Sequence, residues 1–137
     1  MCLFCNIAKG EVSSHKVFEN SQALAFLDIH PISLGHTVVI PKSHASTVID
    51  LPEDQVEDVF MAVKKVTFML AKTLGAENFT IGINHGRMLG HPDIDHLHIH
   101  VIPRFEGDGG KDIHSVVSNP PDEDVAETKE RIIKANG

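Results

Sequence analysis

The sequence predicts an α+β domain with a mostly antiparallel sheet, one long helix and a short C-terminal helix. The order of the segments predicts the class, and the length and the lack of internal divisions predict a single domain. Short β-prone segments lie before and after a single long stretch of helical periodicity, an order typical of α+β domains. The 137 residues suit one domain, and no repeat, low-complexity tract or linker divides them. We therefore expect a single domain over residues 1–137, with 105–137 as a looser C-terminal extension.

The first three strands are predicted in the N-terminal third of the chain. The segments "SSHKVFEN" and "QALAFLDI" carry β-branched and aromatic residues on either side of Asn20-Ser21, a pattern that predicts a β-hairpin. The segment "GHTVVIPKSH" follows, and its short apolar run stops at Pro41. This run predicts a third strand.

A long helix is predicted in "LPEDQVEDVFMAVKKVTFMLAKTLGA", where Pro52 suits the first turn and Gly75 can end the helix. Met61 and Phe68, seven residues apart, project from its charged side. They are either isolated surface residues or part of an interface, most simply that of a homodimer. The apolar residues that recur every three or four positions should form the buried face: Val56, Val59, Phe60, Val63, Val66, Leu70 and Leu74.

Two more strands and a last helix complete the prediction. The segments "NFTIGIN" and "HLHIHVIPRF" indicate strands joined by the loop from His85 to Asp95. Beyond Arg104 the chain is rich in glycine and contains the helix breaker Asn119-Pro120-Pro121. A short helix is predicted from Asp122 to about Lys134, because acidic residues lie at its start and basic residues toward its end.

Composition and charge narrow the function classes. The formal net charge of −7 disfavours binding to a nucleic-acid backbone, which needs clustered Lys and Arg. No apolar run reaches the roughly 18 residues of a transmembrane helix, and no signal-peptide pattern is present. We therefore expect a cytoplasmic protein that binds neither nucleic acid nor membranes. Cys2 and Cys5 are too close to make a useful structural disulfide, which favours thiols or metal ligands.

The stretch "DHLHIHVIPR" places three histidines at alternate positions. Because successive side chains of a strand point to opposite faces, His96, His98 and His100 would share one face, and the intervening aliphatic residues would face the core. Three explanations fit: a solvated polar face, a three-histidine metal site, or a nucleophilic imidazole that attacks phosphorus beside groups binding the phosphoryl oxygens. The spacing by itself does not separate the last two.

The segment "HLHIHVI" matches the pattern His-φ-His-φ-His-φ-φ, where φ is hydrophobic, and so resembles the signature of the histidine triad (HIT) superfamily. Four segments resemble the corresponding family segments in the same order: "CLFCNIAKGEV", "ALAFLDIHPISLGHTVVIPKSH", "FTIGINHG" and "HLHIHVIPR". Together they extend roughly from Cys2 to Arg104. The chain is most similar to the Hint-like branch of nucleotide-binding hydrolases.

This resemblance implies catalysis at the α-phosphorus of a purine nucleotide or nucleotide conjugate. The catalytic triad would be His96, His98 and His100. Its middle member, His98, would attack phosphorus and form a nucleotidyl-imidazole intermediate, which water then hydrolyses. His100 would bind the phosphoryl oxygens and assist proton transfer to the leaving group. Asp28 would contact the ribose hydroxyls, and Asn84 the phosphate or ribose. Four residues correspond to the apolar slot for the base, although ordinary core positions explain them equally well: Phe4, Ile7, Leu27 and Ile29.

The resemblance also implies a structural zinc ion. In zinc-bearing relatives, the CxxC pair, the histidine of "PKSH" and the first triad histidine bind one Zn²⁺, which here gives Cys2, Cys5, His44 and His96. Two cysteines and two histidines are a sound tetrahedral ligand set. The alternatives are unmetallated thiols near an unrelated histidine and, with less support, a redox-active CxxC pair.

The chain departs from the family pattern at "GHPDIDH", residues 90–96. The usual Gln before the triad is absent and the segment is one residue longer; His91 could take over its contact with phosphate. His85 stands where a second Asn is frequent, and His36 matches a position expected to be structural.

Two function classes remain: a hydrolase of nucleoside phosphoramidates or related conjugates, alternatively of dinucleoside polyphosphates, and a nucleotide-binding or interaction protein with little catalysis. A homodimer through the long helix and a strand is also implied.

Overall fold

The computed structural model describes residues 2–91 and 93–137, so Met1 and Pro92 lie outside the description. Over this range the chain forms a five-stranded sheet of antiparallel pairs in the order β1-β2-β3-β5-β4. The strands are β1 (Lys16–Glu19), β2 (Ala23–Leu27), β3 (Thr37–Pro41), β4 (Asn78–Gly82) and β5 (Ile99–Arg104). The helices are α1 (Leu3–Ala8), α2 (Glu53–Leu74) and α3 (Val125–Asn136). The predicted α+β class is confirmed.

The predicted hairpin is formed by β1 and β2, and Asn20 organises its turn. The Asn20 carbonyl Oδ1 accepts hydrogen bonds from the backbone N–H groups of Gln22 (3.1 Å) and Ala23 (2.8 Å). Its Nδ2 donates to the carbonyl oxygen of Asp58 at 2.8 Å. Because Asp58 lies on α2, this one side chain both closes the hairpin and fixes it to the helix.

The main core lies between α2 and one face of the sheet. Val56 and Phe60, predicted for the buried face of α2, are instead 39% and 45% exposed. An α-helix turns by about 100° per residue, so Phe60 lies more than a quarter turn from Val59, beyond the reach of the sheet. The helical residues that are buried are Val59, Ala62, Val63, Val66 and Leu70. They pack on Leu97, which lies just before β5, and on sheet residues that include Ala25, Val39, Ile99 and Val101.

The last predicted strand begins later than expected, at Ile99. In the observed register Val39 pairs with Ile99, so the next position on the same side would pair Pro41 with Leu97. Proline has no N–H to donate to a ladder, and Leu97 donates instead to the carbonyl oxygen of Ala45 at 2.6 Å. His96 and His98 therefore lie in the segment before β5. The predicted alternation of histidines with core-facing residues persists outside the strand, because Leu97, between His96 and His98, is buried in the core against α2.

The helix α1 was not predicted from the sequence. It begins after Cys2, whose Sγ accepts a hydrogen bond from the N–H of Cys5. Its residue Phe4 is buried on the sheet face opposite α2 and forms a second apolar cluster with Leu24, Phe26, Val38 and Ile40. The histidines lie on this same face, so α1 covers part of the candidate site.

The C-terminal helix α3 confirms the predicted last helix, with bounds shifted by about three residues. Asp124 caps it, because its carboxylate accepts a hydrogen bond from the N–H of Ala126 at 3.1 Å. Every residue of α3 is at least partly exposed. Among the described residues, no helix combines the length and the apolar character needed to cross a lipid bilayer.

Candidate functional site

His96 is the most buried of the three histidines, with 2% of its surface exposed. Its Nε2 lies 2.9 Å from the carbonyl oxygen of Pro41. A carbonyl can only accept, so Nε2 carries the proton and Nδ1 carries a lone pair. Burial lowers the pKa of His96, which favours this neutral ring. The lone pair of Nδ1 faces Cys2 Sγ at 3.3 Å and Cys5 Sγ at 3.5 Å.

The four predicted metal ligands converge around this nitrogen. His44, from the loop after β3, places its Nδ1 3.4 Å from Cys5 Sγ. One donor atom from each of Cys2, Cys5, His44 and His96 lies within 4.8 Å of all the others. Burial and the neighbouring Cys2 thiol raise the pKa of the Cys5 thiol, and a bound cation would reverse this effect by favouring the thiolate. These residues could hold a metal ion.

His98 is fixed by the backbone of the same segment. Its Nδ1 donates to the carbonyl oxygen of His96 at 2.8 Å, so in the neutral ring Nε2 carries the lone pair. The Phe4 ring meets the His98 ring edge-on, with centroids 5.3 Å apart and planes at 83°. The hydrogen bond and the aromatic contact together restrict the rotation of the imidazole, so that the lone pair of Nε2 has a defined direction.

His100 lies in β5 and has a different partner. Its Nδ1 is 2.9 Å from Nε2 of His36. Burial and the neighbouring rings of His98 and His36 lower the pKa of His100 to about 4, so the ring is neutral at physiological pH. Because His96 Nδ1 faces two sulfurs and His100 Nδ1 bonds to His36, the three imidazoles do not converge on one ion. The arrangement therefore disfavours a three-histidine metal site.

Asp28 follows β2 and lies beside this histidine pair. Its Oδ1 accepts from the N–H of His30 at 2.8 Å, and its Oδ2 lies 3.6 Å from Nε2 of His36.

The predicted base-slot residues are not brought together as one set. Phe4 and Ile7 pack in the second apolar cluster, whereas Leu27 is half-buried outside both clusters and Ile29 is 72% exposed.

A cavity of about 150 Å³ adjoins His98 and extends along the loop between β4 and β5. Asn84 and His91, both predicted to contact the nucleotide, line it together with Ser46, Thr47, His85 and Arg87. Arg87 donates to the carboxylate of Asp95 at 2.8 Å. Four residues of the segment that departs from the family pattern line this cavity: His91, Ile94, Asp95 and His96.

Two residues near the site were not predicted to take part in it. Phe26 packs edge-on against Phe4 with ring centroids 5.5 Å apart, and His36 bonds to His100. The position of Phe26 could have been inferred, because period-two spacing places it on the same strand face as Leu24. No local pattern indicates the pairing of His36 with His100, since it depends on the register between β3 and β5.

Comparisons with known proteins show the family of this chain. A family model described as "HIT domain" matches residues 9–107. The chain belongs to the HIT domain family. This HIT protein is 44% identical over 103 residues to adenosine 5'-monophosphoramidase of Schizosaccharomyces pombe, an alignment that covers 75% of this chain and 74% of the relative.

Solved HIT structures are similar over nearly the whole chain. A crystal structure of a HIT family protein from Bacillus anthracis superposes with a TM-score of 0.84 at 30% identity, covering 98% of this chain and 94% of that one. A Zn-bound histidine triad family protein from Mycobacterium smegmatis superposes with a TM-score of 0.70 at 30% identity, covering 98% and 91%. One similar protein therefore contains zinc.

Proposed function

We propose that this HIT protein hydrolyses nucleoside phosphoramidates or related nucleotidyl conjugates at the α-phosphorus. The observation that carries the proposal is the orientation of His98. Its Nδ1–H donates a hydrogen bond to the carbonyl oxygen of His96, so the lone pair of Nε2 is available to attack the α-phosphorus. The similarity to a relative named adenosine 5'-monophosphoramidase favours adenosine phosphoramidates as the substrate class.

In the first step, Nε2 of His98 attacks the α-phosphorus, an N–P bond forms and the bond to the leaving amine breaks. We assign His100 as the donor of the proton with which the amine leaves. Water then attacks the phosphorus of the nucleotidyl-imidazole, the N–P bond breaks, and the proton that water loses returns to His100. This step releases the nucleoside monophosphate and restores His98. Dividing the displacement in this way replaces one difficult step with two easier ones.

The nucleotide would lie across the sheet face that carries the histidines. Phe4, Ile7 and Phe26 supply apolar surface for a purine base, and the carboxylate of Asp28 can accept hydrogen bonds from the ribose hydroxyls. Asn84 and His91, beside the cavity next to His98, would contact the phosphate or the leaving group. His91 would stand in place of the Gln expected from the family pattern.

We further propose that Cys2, Cys5, His44 and His96 hold a structural Zn²⁺. The ligand set fits, because two sulfurs and two imidazole nitrogens approach one another and the second nitrogen of His96 is already hydrogen-bonded to Pro41. A bound ion would join α1 to the segment before β5. His98 lies in this segment, two residues after His96, so the metal would fix the backbone that orients it.

Replacing the nucleophile tests the function. In a steady-state assay with a fluorogenic adenosine phosphoramidate, His98→Ala should lose turnover by about a thousandfold or more, since removal of a nucleophile costs at least that much. The matched control is His114→Ala, which alters a side chain that is 89% exposed and should leave turnover unchanged. Diadenosine triphosphate, assayed in parallel, tests the alternative substrate class.

Two outcomes would contradict the proposal. Full turnover in His98→Ala would reject the nucleophile. A wild-type protein that binds AMP but cleaves neither substrate would instead indicate a nucleotide-binding or interaction protein, the second class that the departure at residues 90–96 leaves open.

A further inference from the structure

His36 is a buried histidine that lies between Asp28 and His100. It is 4% exposed. Its Nε2 is 2.9 Å from Nδ1 of His100 and 3.6 Å from Oδ2 of Asp28. On the opposite side of the ring, its Nδ1 accepts a hydrogen bond from the backbone N–H of Ile32 at 3.3 Å. The function proposed above assigns roles to Asp28 and His100 but none to His36.

These contacts fix where the protons lie. Because a backbone N–H can only donate, Nδ1 of His36 must carry the lone pair, and the neutral ring holds its proton on Nε2. That proton is donated to Nδ1 of His100. His100 must then carry its own proton on Nε2, the nitrogen that is available to a phosphoryl oxygen or a leaving group.

The tautomer matters because neither ring is charged at physiological pH. Burial lowers the pKa of His36, and burial together with the adjacent imidazoles lowers that of His100 to about 4. A neutral imidazole donates from one nitrogen only. If His100 carried its proton on Nδ1, its Nε2 would present a lone pair to the phosphoryl oxygens and would repel them.

Asp28, His36 and His100 could in principle bind a cation, because their donor atoms also lie close together. The 2.9 Å between the two imidazole nitrogens is, however, an ordinary hydrogen-bond length. The Ile32 bond independently places a proton on the His36 nitrogen that faces His100. A hydrogen-bonded relay therefore accounts for the cluster.

We propose that His36 is a positioning residue that sets the tautomer of His100 and couples it to ribose binding at Asp28. This inference rests on the proposed function. Without substrate, the Asp28 carboxylate attracts the same Nε2 proton that His36 donates to His100. When ribose hydroxyls donate to Asp28, they weaken this competition and the proton is shared with His100 alone. Binding of a ribose thereby strengthens the Nε2–H donor of His100 during the reaction.

The tautomer can be tested without any substrate. In ¹⁵N-histidine NMR spectra at pH 7, wild-type His100, assigned with His100→Gln, should show a protonated Nε2 and an unprotonated Nδ1. His36→Leu should convert His100 to a mixture of tautomers. His36→Gln, whose amide can still donate, should restore the wild-type signal. A wild-type His100 protonated on Nδ1, or an unchanged tautomer in a folded His36→Leu variant, would overturn the inference.

Kinetics test the coupling to ribose. With an adenosine phosphoramidate, His36→Leu should lower kcat about tenfold, less than the loss typical for a general acid itself, and should change KM by less than about twofold. His36→Gln should recover most of kcat. A 2'-deoxyadenosine substrate should have a lower kcat than the ribose substrate in wild type, and this difference should shrink in His36→Leu.

The outcomes separate this inference from the proposed function. If wild type is active but His36→Leu keeps its kcat and its ribose discrimination, His36 only fills space and the inference is rejected while the function stands. If wild type cleaves no phosphoramidate, the proposed function is rejected together with the coupling to ribose. The NMR spectra still decide whether His36 sets the tautomer. Melting temperatures of both variants identify a variant that has lost its fold, in which case His36→Gln carries the comparison.

Discussion

At the scale of single residues, the three triad histidines differ by their hydrogen-bond partners rather than by their spacing. The carbonyl oxygen of Pro41 accepts a hydrogen bond from Nε2 of His96, and the carbonyl oxygen of His96 accepts one from Nδ1 of His98. The imidazole of His36 directs the proton of His100. His96 keeps a lone pair on Nδ1, His98 keeps one on Nε2, and His100 presents the proton of its Nε2, so three identical side chains offer chemically different groups.

The zinc proposal is tested at this scale. Protein purified without an affinity tag should contain about one zinc ion per chain. His44→Ala removes a proposed ligand that is supplied by an exposed loop side chain, and this variant should lose most of the metal. His114→Ala, a second exposed histidine outside the cluster, should retain it. Elemental analysis by mass spectrometry measures both, and a metal-free wild-type protein would reject the site.

At the scale of secondary-structure elements, β3 organises the site at both of its ends. His36 directly precedes its first residue, and its last residue, Pro41, supplies the carbonyl that orients His96. His44 follows three residues later. Because β3 pairs with β2 on one side and with β5 on the other, these groups are held in a fixed relation to the triad.

Gly35 makes the close packing before β3 possible. It has φ of +84°, and an added Cβ would collide with the side chain of Leu74 on α2 and press on Leu70. Gly10 has a similar φ of +79° but has open space around it. Both Gly→Ala variants should lose roughly 1 kcal/mol of stability, because alanine is strained in the left-handed backbone region. Gly35→Ala should lose a further 1–3 kcal/mol or so of stability from overpacking.

Urea denaturation of the two variants measures this difference. Gly35→Ala should unfold at a clearly lower urea concentration than Gly10→Ala. Because His36 adjoins Gly35, the turnover of the Gly35→Ala variant should fall as well, whereas Gly10→Ala should keep wild-type turnover. Equal stability of the two variants would show that the turn adapts to the methyl group and that its packing on α2 does not constrain the site.

At the scale of the whole molecule, the protein has an edge strand and a long helix that both carry exposed apolar residues. Among the described strands, β4 pairs with β5 only, and its Ile81 is 41% exposed. On the outer side of α2, Met61 is 40% exposed and Phe68 is 66% exposed. Edge strands and apolar patches favour association, so we expect a homodimer through α2 and β4.

A charge placed on this surface should weaken the dimer. Phe68→Glu would bury a carboxylate at the interface, and we expect a shift toward monomer in size-exclusion chromatography with light scattering. Ile132→Glu on α3 is a matched control, because Ile132 is also an exposed apolar residue, at 57%, but lies outside this surface. A monomeric wild type, or a Phe68→Glu variant that stays dimeric, would contradict the prediction.

The sequence by itself determined the fold class, the hairpin, the long helix and the alternation of histidines with core residues. These features depend on local periodicity, two residues in a strand and 3.6 in a helix, which is written into neighbouring positions. It also suggested, through resemblance, the four metal-ligand candidates. The limits of the buried face of α2 were less well predicted, because the width of that face depends on the sheet it meets.

Only the tertiary structure decided how the site is assembled. The contact between Cys2 and His96 joins residues 94 positions apart, and that between His36 and His100 spans 64. Such contacts depend on strand order and register, and one missing N–H at Pro41 changes where β5 begins. A hydrogen bond between distant residues selects which imidazole nitrogen keeps its proton, and no local pattern in the chain encodes that choice.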